Sequence, residues 1–191
     1  MRSFYNIISG IGIRWLFMLF IASFPALSAI NADLKIELEE MEESDQNIGN
    51  KIREIGWKNP PNELLSQLEL IDRKNTDKLK EIIDKHSWLT AYLVGETGVS
   101  AAFLIIQHSP DNHFKEKMLP FVKQYYINNE GVIGQEFSLL TDRVLVAQGK
   151  AQIYDTQLRI EKGLLFFEPI ENESTVDQRR KELGMPPLKK I

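Results

Sequence analysis

Apolar residues recur at three- and four-residue steps along most of this chain, and that spacing restricts it to a mainly helical fold. Between Asp33 and Ile55 the stripe is Leu34, Leu38, Met41, Ile48, Ile52 and Ile55, set among Glu, Asp, Lys and Arg. The acidic block Glu37 to Asp45 reads as the solvated face of that first helix. Gly56-Trp57-Lys58-Asn59-Pro60-Pro61 ends it, because proline cannot continue a helix. A second helical stretch starts near Asn62. Asn75-Thr76-Asp77 offers a cap for another helix, carrying Leu79, Ile82 and Ile83 and ending by His86.

Residues 96 to 108 change character. Val99, Ala101, Ala102, Phe103, Leu104, Ile105 and Ile106 form a nearly unbroken apolar run that ends in Gln107-His108. Small residues early in the run favour a buried helix; the alternative is a central strand over 99–107, which would make the fold α+β. Ser109-Pro110-Asp111 supplies a cap, a first-position proline and an acidic first turn for the next helix, with Pro120 inside it. From Gln135 to Gly149 a helix apolar almost all round carries Asp142 and Arg143 in its middle. Neighbours on a helix point about 100° apart, so each charge must find its own partner. After Gly149 a period of two predicts a short β-hairpin near 151–168, turning at Glu161-Lys162-Gly163, and a last helix spans Thr175 to Leu183. The expectation is one mainly α domain over residues 33–191, with five to seven helices, 33–58 being its N-terminal helix.

Composition narrows the function. No cysteine is present, which excludes disulfides, thiolate metal sites and a cysteine nucleophile. A formal charge of −4 argues against generic nucleic-acid binding, which needs clustered Lys and Arg. At the N-terminus, Arg2 and Arg14 precede an uncharged run from Trp15 to Ile30, and the first acidic residue is Asp33. A basic start, an apolar core and Leu27-Ser28-Ala29, with an acceptable residue at −3 and Ala at −1, make residues 1–29 a signal peptide cleaved after Ala29; the alternative is an uncleaved anchor. The exported chain would be acidic and would work in a periplasmic or extracellular space, touching membrane only through this segment.

Several strings occur in a fixed order: Asp45-Gln46, Asp72 with Asn75, Trp88, Gly95-Glu96-Thr97-Gly98, Gln107-His108, Thr141-Asp142-Arg143-Val144, Gln152 to Gln157 and Val176-Asp177-Gln178-Arg179-Arg180. Together they resemble the bacterial domain of unknown function family 6624, over residues 33–191 and most specifically within 88–191. The family's Gly-Trp-Pro is Ser87-Trp88-Leu89 here, and its Tyr-Gly-Thr-Gln is Tyr154-Asp155-Thr156-Gln157. The second change removes the residue easiest to place at positive φ. The resemblance implies no activity.

The chemistry must be read from the residues. His108 at a helix end is either a general acid or base or a dipole-stabilised cap. Asp142 is the second catalytic candidate, as a base or as the group that orients His108. Arg143 offers a clamp for a carboxylate or phosphate, and Gln107, Gln152, Tyr154 and Gln157 could read hydroxyls or amides of a ligand. The competing reading makes the same cluster a structural network. His108, Asp111 and His113 are poorly spaced for metal, with Pro110 between them, so no metal site is assigned. There is no GxSxG, P-loop or GxGxxG motif, and no cofactor is expected. The partner expected is a small molecule or envelope component, handled by a hydrolase; the alternative is a non-catalytic binding module.

Overall fold

The computed structural model describes residues 30–161 and 164–188; the expected signal segment 1–29 and the turn residues Lys162 and Gly163 lie outside them. Six α-helices follow in order: α1 (Ala32–Ile55), α2 (Asn62–His86), α3 (Ala91–His108), α4 (Asn112–Ile127), α5 (Gly134–Ala147) and α6 (Val176–Glu182). The only strands among the described residues are β1 (Leu158–Glu161) and β2 (Leu164–Phe167). They pair antiparallel with Glu161 opposite Leu164. The mainly α expectation holds, and the alternative central strand over 99–107 is instead part of α3.

Helix α3 is the hub because it has almost no polar face to turn outward. Val94, Val99, Ala101, Ala102, Phe103, Ile105 and Ile106 are all buried on it, and α1, α2, α4 and α5 pack around it. Leu38, Leu79, Met118 and Leu140 meet it in the same core, each contributing roughly 1.5–3 kcal/mol by burial. Thr90 starts the helix by accepting the N–H of Leu93 at 3.2 Å.

Three expected boundaries move, each because a polar side chain found a different partner. Asn75 does not start a new helix: α2 runs unbroken from Asn62 to His86. The buried Asn75 Nδ2 donates across to the Met41 carbonyl at 3.0 Å. The cap of α4 is Asp111, which accepts the N–H of Phe114 at 3.0 Å, while the Ser109 hydroxyl accepts the N–H of Asp111. The alternation that begins at Gln152 yields a strand only from Leu158. Residues 152–157 curl instead around Asp142, whose carboxylate takes the N–H groups a strand would have paired.

Both places where the chain departs from the family's glycines keep a glycine-like backbone. Asp155 sits at φ 54° and Ser87 at φ 62°. Ser87, with ψ −154°, terminates α2 in a region that is essentially glycine's alone. Trp88 follows it and packs against Phe121 and Tyr125, with ring centroids 5.5 Å and 5.1 Å away.

Candidate functional site: a cleft over Asp45, Asp72 and His108

On α1 the buried stripe runs Leu34, Leu38, Met41, Asp45, Ile48, Ile52. Asp45 therefore occupies a core position, and its side chain is 3% exposed. It is not part of a solvated acidic face. On α2, Leu68, Asp72, Asn75 and Leu79 share one side in the same way, which brings Asp72 to Asp45. The end of α3 adds His108, and α5 adds Arg143. Four helices thus bring polar side chains together around a cleft of about 390 Å³.

The geometry has a direction. His108 Nδ1 lies 2.8 Å and 2.9 Å from the two Asp45 oxygens, so the carboxylate holds one ring nitrogen and leaves Nε2 for the cleft. The expectation that Asp142 would orient His108 is not met; Asp45 takes that place. Gln46 Nε2 steadies the same carboxylate at 3.2 Å. Arg143 donates from Nη1 to the Gln107 carbonyl at 2.6 Å and from Nε to Gln157 Oε1 at 3.2 Å. Its Nη2 has no hydrogen bond among the described residues, while the side chain lines the cleft.

Asp72 is the unsatisfied member. Its Oδ1 is buried without any hydrogen-bond partner. Burial, reinforced by the neighbouring charge of Asp45, pushes its carboxyl up to about 7. Burial also pulls the Arg143 guanidinium down, against the opposing pull of Asp72. Asp45, Asp72 and His108 each offer one ligand atom within 4.8 Å of the others, a spacing that a divalent ion could bridge. Arg143 already supplies positive charge beside the two carboxylates, so the cluster has a counter-charge of its own.

The other expected residues lie elsewhere. Asp142 is fully buried and accepts the N–H groups of Ile153, Tyr154 and Thr156 and the Thr156 hydroxyl, at 2.7–3.1 Å. Gln152 is equally buried: its Oε1 accepts the N–H groups of Thr156 and Gln157, and its Nε2 donates to Asp155, Gln157 and Glu168. Tyr154 packs edge-on to Phe137, and burial raises its phenol. Gln107 and Gln157 touch the cleft only through Arg143. Asp111 pairs with Lys80 at 2.8 Å, and His113 is an exposed residue of α4, so neither joins His108. Arg179 and Arg180 donate to the carbonyls of Ile153 and Tyr154 and fasten the loop from outside.

Asp45 and Asp72 are the residues that reading the chemistry from the sequence did not single out. Their signal was present: each interrupts an apolar stripe at a position where the helix faces inward. The cleft's outer wall, with Gly49, Arg53, Trp57 and Leu68, was not legible, since which helix faces meet across it depends on how α1 and α2 pack.

Among curated proteins and among solved structures, no match to the chain is found. A family model described as a family of unknown function, DUF6624, matches residues 32–191, and the chain belongs to that family.

Proposed function

We propose that the cleft is an acid–base pocket for a small anionic ligand, with hydrolysis as its chemistry. The observation that carries this reading is His108, which lines the cleft, is held at Nδ1 by buried Asp45 and has no hydrogen bond at its other nitrogen among the described residues. A carboxylate in that position fixes the ring tautomer and leaves Nε2 as the nitrogen that takes a proton. A water molecule would lose that proton to Nε2 as its oxygen bonds to an acyl or phosphoryl centre. The bond to the leaving group breaks, and the imidazolium returns the proton to the departing atom. The free Nη2 of Arg143 is suited to the negative charge that develops. Asp142 has a different role in this reading: it holds the loop that carries Gln157, and Gln157 positions Arg143.

A second reading, binding without turnover, is favoured by the cleft's lining, which holds no Ser, Thr or Cys nucleophile. Turnover of 4-nitrophenyl acetate and 4-nitrophenyl phosphate by the wild type, His108→Ala and Asp45→Asn separates the two. Hydrolysis that falls about 100-fold or more in His108→Ala, with an unchanged fold, is the expected result. Hydrolysis indifferent to His108 overturns it, and activity abolished by EDTA would assign the trio to a cation instead.

The site of action is part of the proposal. The basic N-terminus, the apolar run to Ile30 and the lack of cysteine support export, with a mature chain beginning near Ile30. Mass measurement of the product in the envelope or medium tests this; an intact chain kept in the cytoplasm refutes it.

A further inference from the structure

The outer wall of the cleft follows one line of α1. Asp45, Gly49 and Arg53 stand four residues apart on the same face, and Trp57 lies four residues further on, just beyond the helix end. Gly49 is the unexplained member. Glycine weakens the middle of a helix relative to alanine, and structures keep it where a close approach demands it. Among the described residues nothing makes that demand: a Cβ built on Gly49 meets no atom within 4 Å. The open space above it belongs to the cleft, between Trp57, which is 45% exposed, and Leu68. An indole left half in water beside a bare stretch of helix is a surface for a flat ring. His108 and Arg143 line the same cleft, and Arg53, between Gly49 and Trp57 along the chain, donates from Nη1 to Asn50.

We propose that the ligand is an aromatic anion: its ring lies over Gly49 against Trp57, and its acidic group is held by Arg143. Gly49 and Trp57 are then specificity-determining residues, and the gap left by glycine admits the ring's thickness. This rests on the reading of the cleft as the binding site, but it requires no turnover. The cavity of about 390 Å³ falls in the range that takes a small organic molecule. The charge is complementary, because Arg53 and Arg143 both line the cleft together with Trp57 and Leu68.

The test measures binding alone, by calorimetry with the full domain. Benzoate, indole-3-acetate and phenyl phosphate are compared with acetate and inorganic phosphate; the carboxylate and phosphate arms tell which acidic group is preferred. The expected result is at least a tenfold tighter affinity for the aryl members of one arm. Gly49→Leu should abolish that preference without lowering the melting temperature. Gly49→Ala should raise the melting temperature by about 2 °C and weaken aryl binding severalfold, less than Gly49→Leu does. Trp57→Ala should bring aryl and simple anions to equal affinity. Equal affinities in the wild type, or a Gly49→Leu variant that binds aryl anions as before, overturns the proposal. Failure here with His108-dependent hydrolysis intact would remove the aromatic specificity and leave the acid–base reading. Aryl binding with no hydrolysis would do the reverse.

Discussion

Two buried acidic sites in this protein differ in one respect, which is whether their hydrogen bonds are complete. At Asp142 both oxygens are used by the backbone of 153–156 and the Thr156 hydroxyl, and Gln152 beside it is satisfied at both ends of its amide. At Asp72 one oxygen has no partner at all, and Asp45 leans on a histidine that is one-third exposed to a cleft. A completed carboxylate has no capacity left for a ligand and serves the fold. An incomplete one, next to a cavity, carries a cost that the fold alone does not require. The comparison separates structure from function more sharply than burial does, since Asp45 and Asp142 are equally deep.

The comparison breaks most visibly at Asp142. Asp142→Ala removes the acceptor for four donors; the Thr156 N–H keeps Gln152 Oε1, and the three left unpaired cost ~1–3 kcal/mol each, so a loss of about 3 kcal/mol or more is expected. Chemical denaturation checks this. A loss below about 1 kcal/mol would mean that the loop does not depend on its carboxylate, and the structural assignment of Asp142 would fall.

Lys115 on α4 gives the next largest effect and the opposite sign. It is 6% exposed and forms no salt bridge among the described residues. Burial, with the charge of Arg143 adding to it and Asp111 opposing, pushes its ammonium down to about 8 from the ordinary 10.5. Between these values the unfolded chain binds more protons than the folded one, so stability rises with pH from about 8 to about 10.5; below 8 the cost is borne in full. Lys115→Met should add about 2 kcal/mol at neutral pH, and less at pH 10. Urea midpoints of both chains at the two pH values measure it. An equal gain at both would exclude charge burial as the cause.

How much of this was legible depends on whether the deciding contact is local. The helices were, because periodicity and prolines act within one turn, and so was the hairpin, whose tip is set by a few neighbouring residues. Asn75 was misread because a cap and a cross-helix donor look alike in sequence; only the distant Met41 carbonyl distinguishes them. His108 and Arg143 were singled out as polar groups in apolar surroundings, and both line the cleft. Asp142 was singled out by the same rule and satisfies it through structure alone. Asp45 was assigned to the solvent because it follows an acidic run, although its spacing from Met41 and Ile48 placed it in the core.

The backbone supplies a smaller contrast between the caged loop and its surroundings. Asp155 and Ser87 both stand at positive φ where the family has glycine. In the loop, Asp155 receives a hydrogen bond from Gln152 Nε2 at 3.1 Å, which offsets its conformational cost. Ser87 is exposed and its side chain makes no hydrogen bond among the described residues. Ser87→Gly should therefore stabilise by about 1 kcal/mol, and Asp155→Gly by about zero. Thermal melts of the two variants test the difference. An equal gain from both would show that the Gln152 contact contributes nothing.

The smallest expected change in stability is also the one that decides most about the cleft. Asp72→Asn retains shape and replaces a carboxylate that has one unpartnered oxygen, beside a second carboxylate, with a neutral amide. With the amide oxygen at the unpartnered position, its nitrogen can donate toward Asp45, so the variant relieves like-charge proximity and leaves the orphan count unchanged. Its stability should stay within about 1 kcal/mol of the wild type, on the favourable side, while ligand binding or turnover in the cleft changes. That pairing is the reverse of Asp142→Ala, where the fold fails because a completed network is broken. If Asp72→Asn instead destabilised the protein as strongly as Asp142→Ala, the open oxygen would be part of a structural network after all, and completeness of hydrogen bonding would no longer distinguish the two sites.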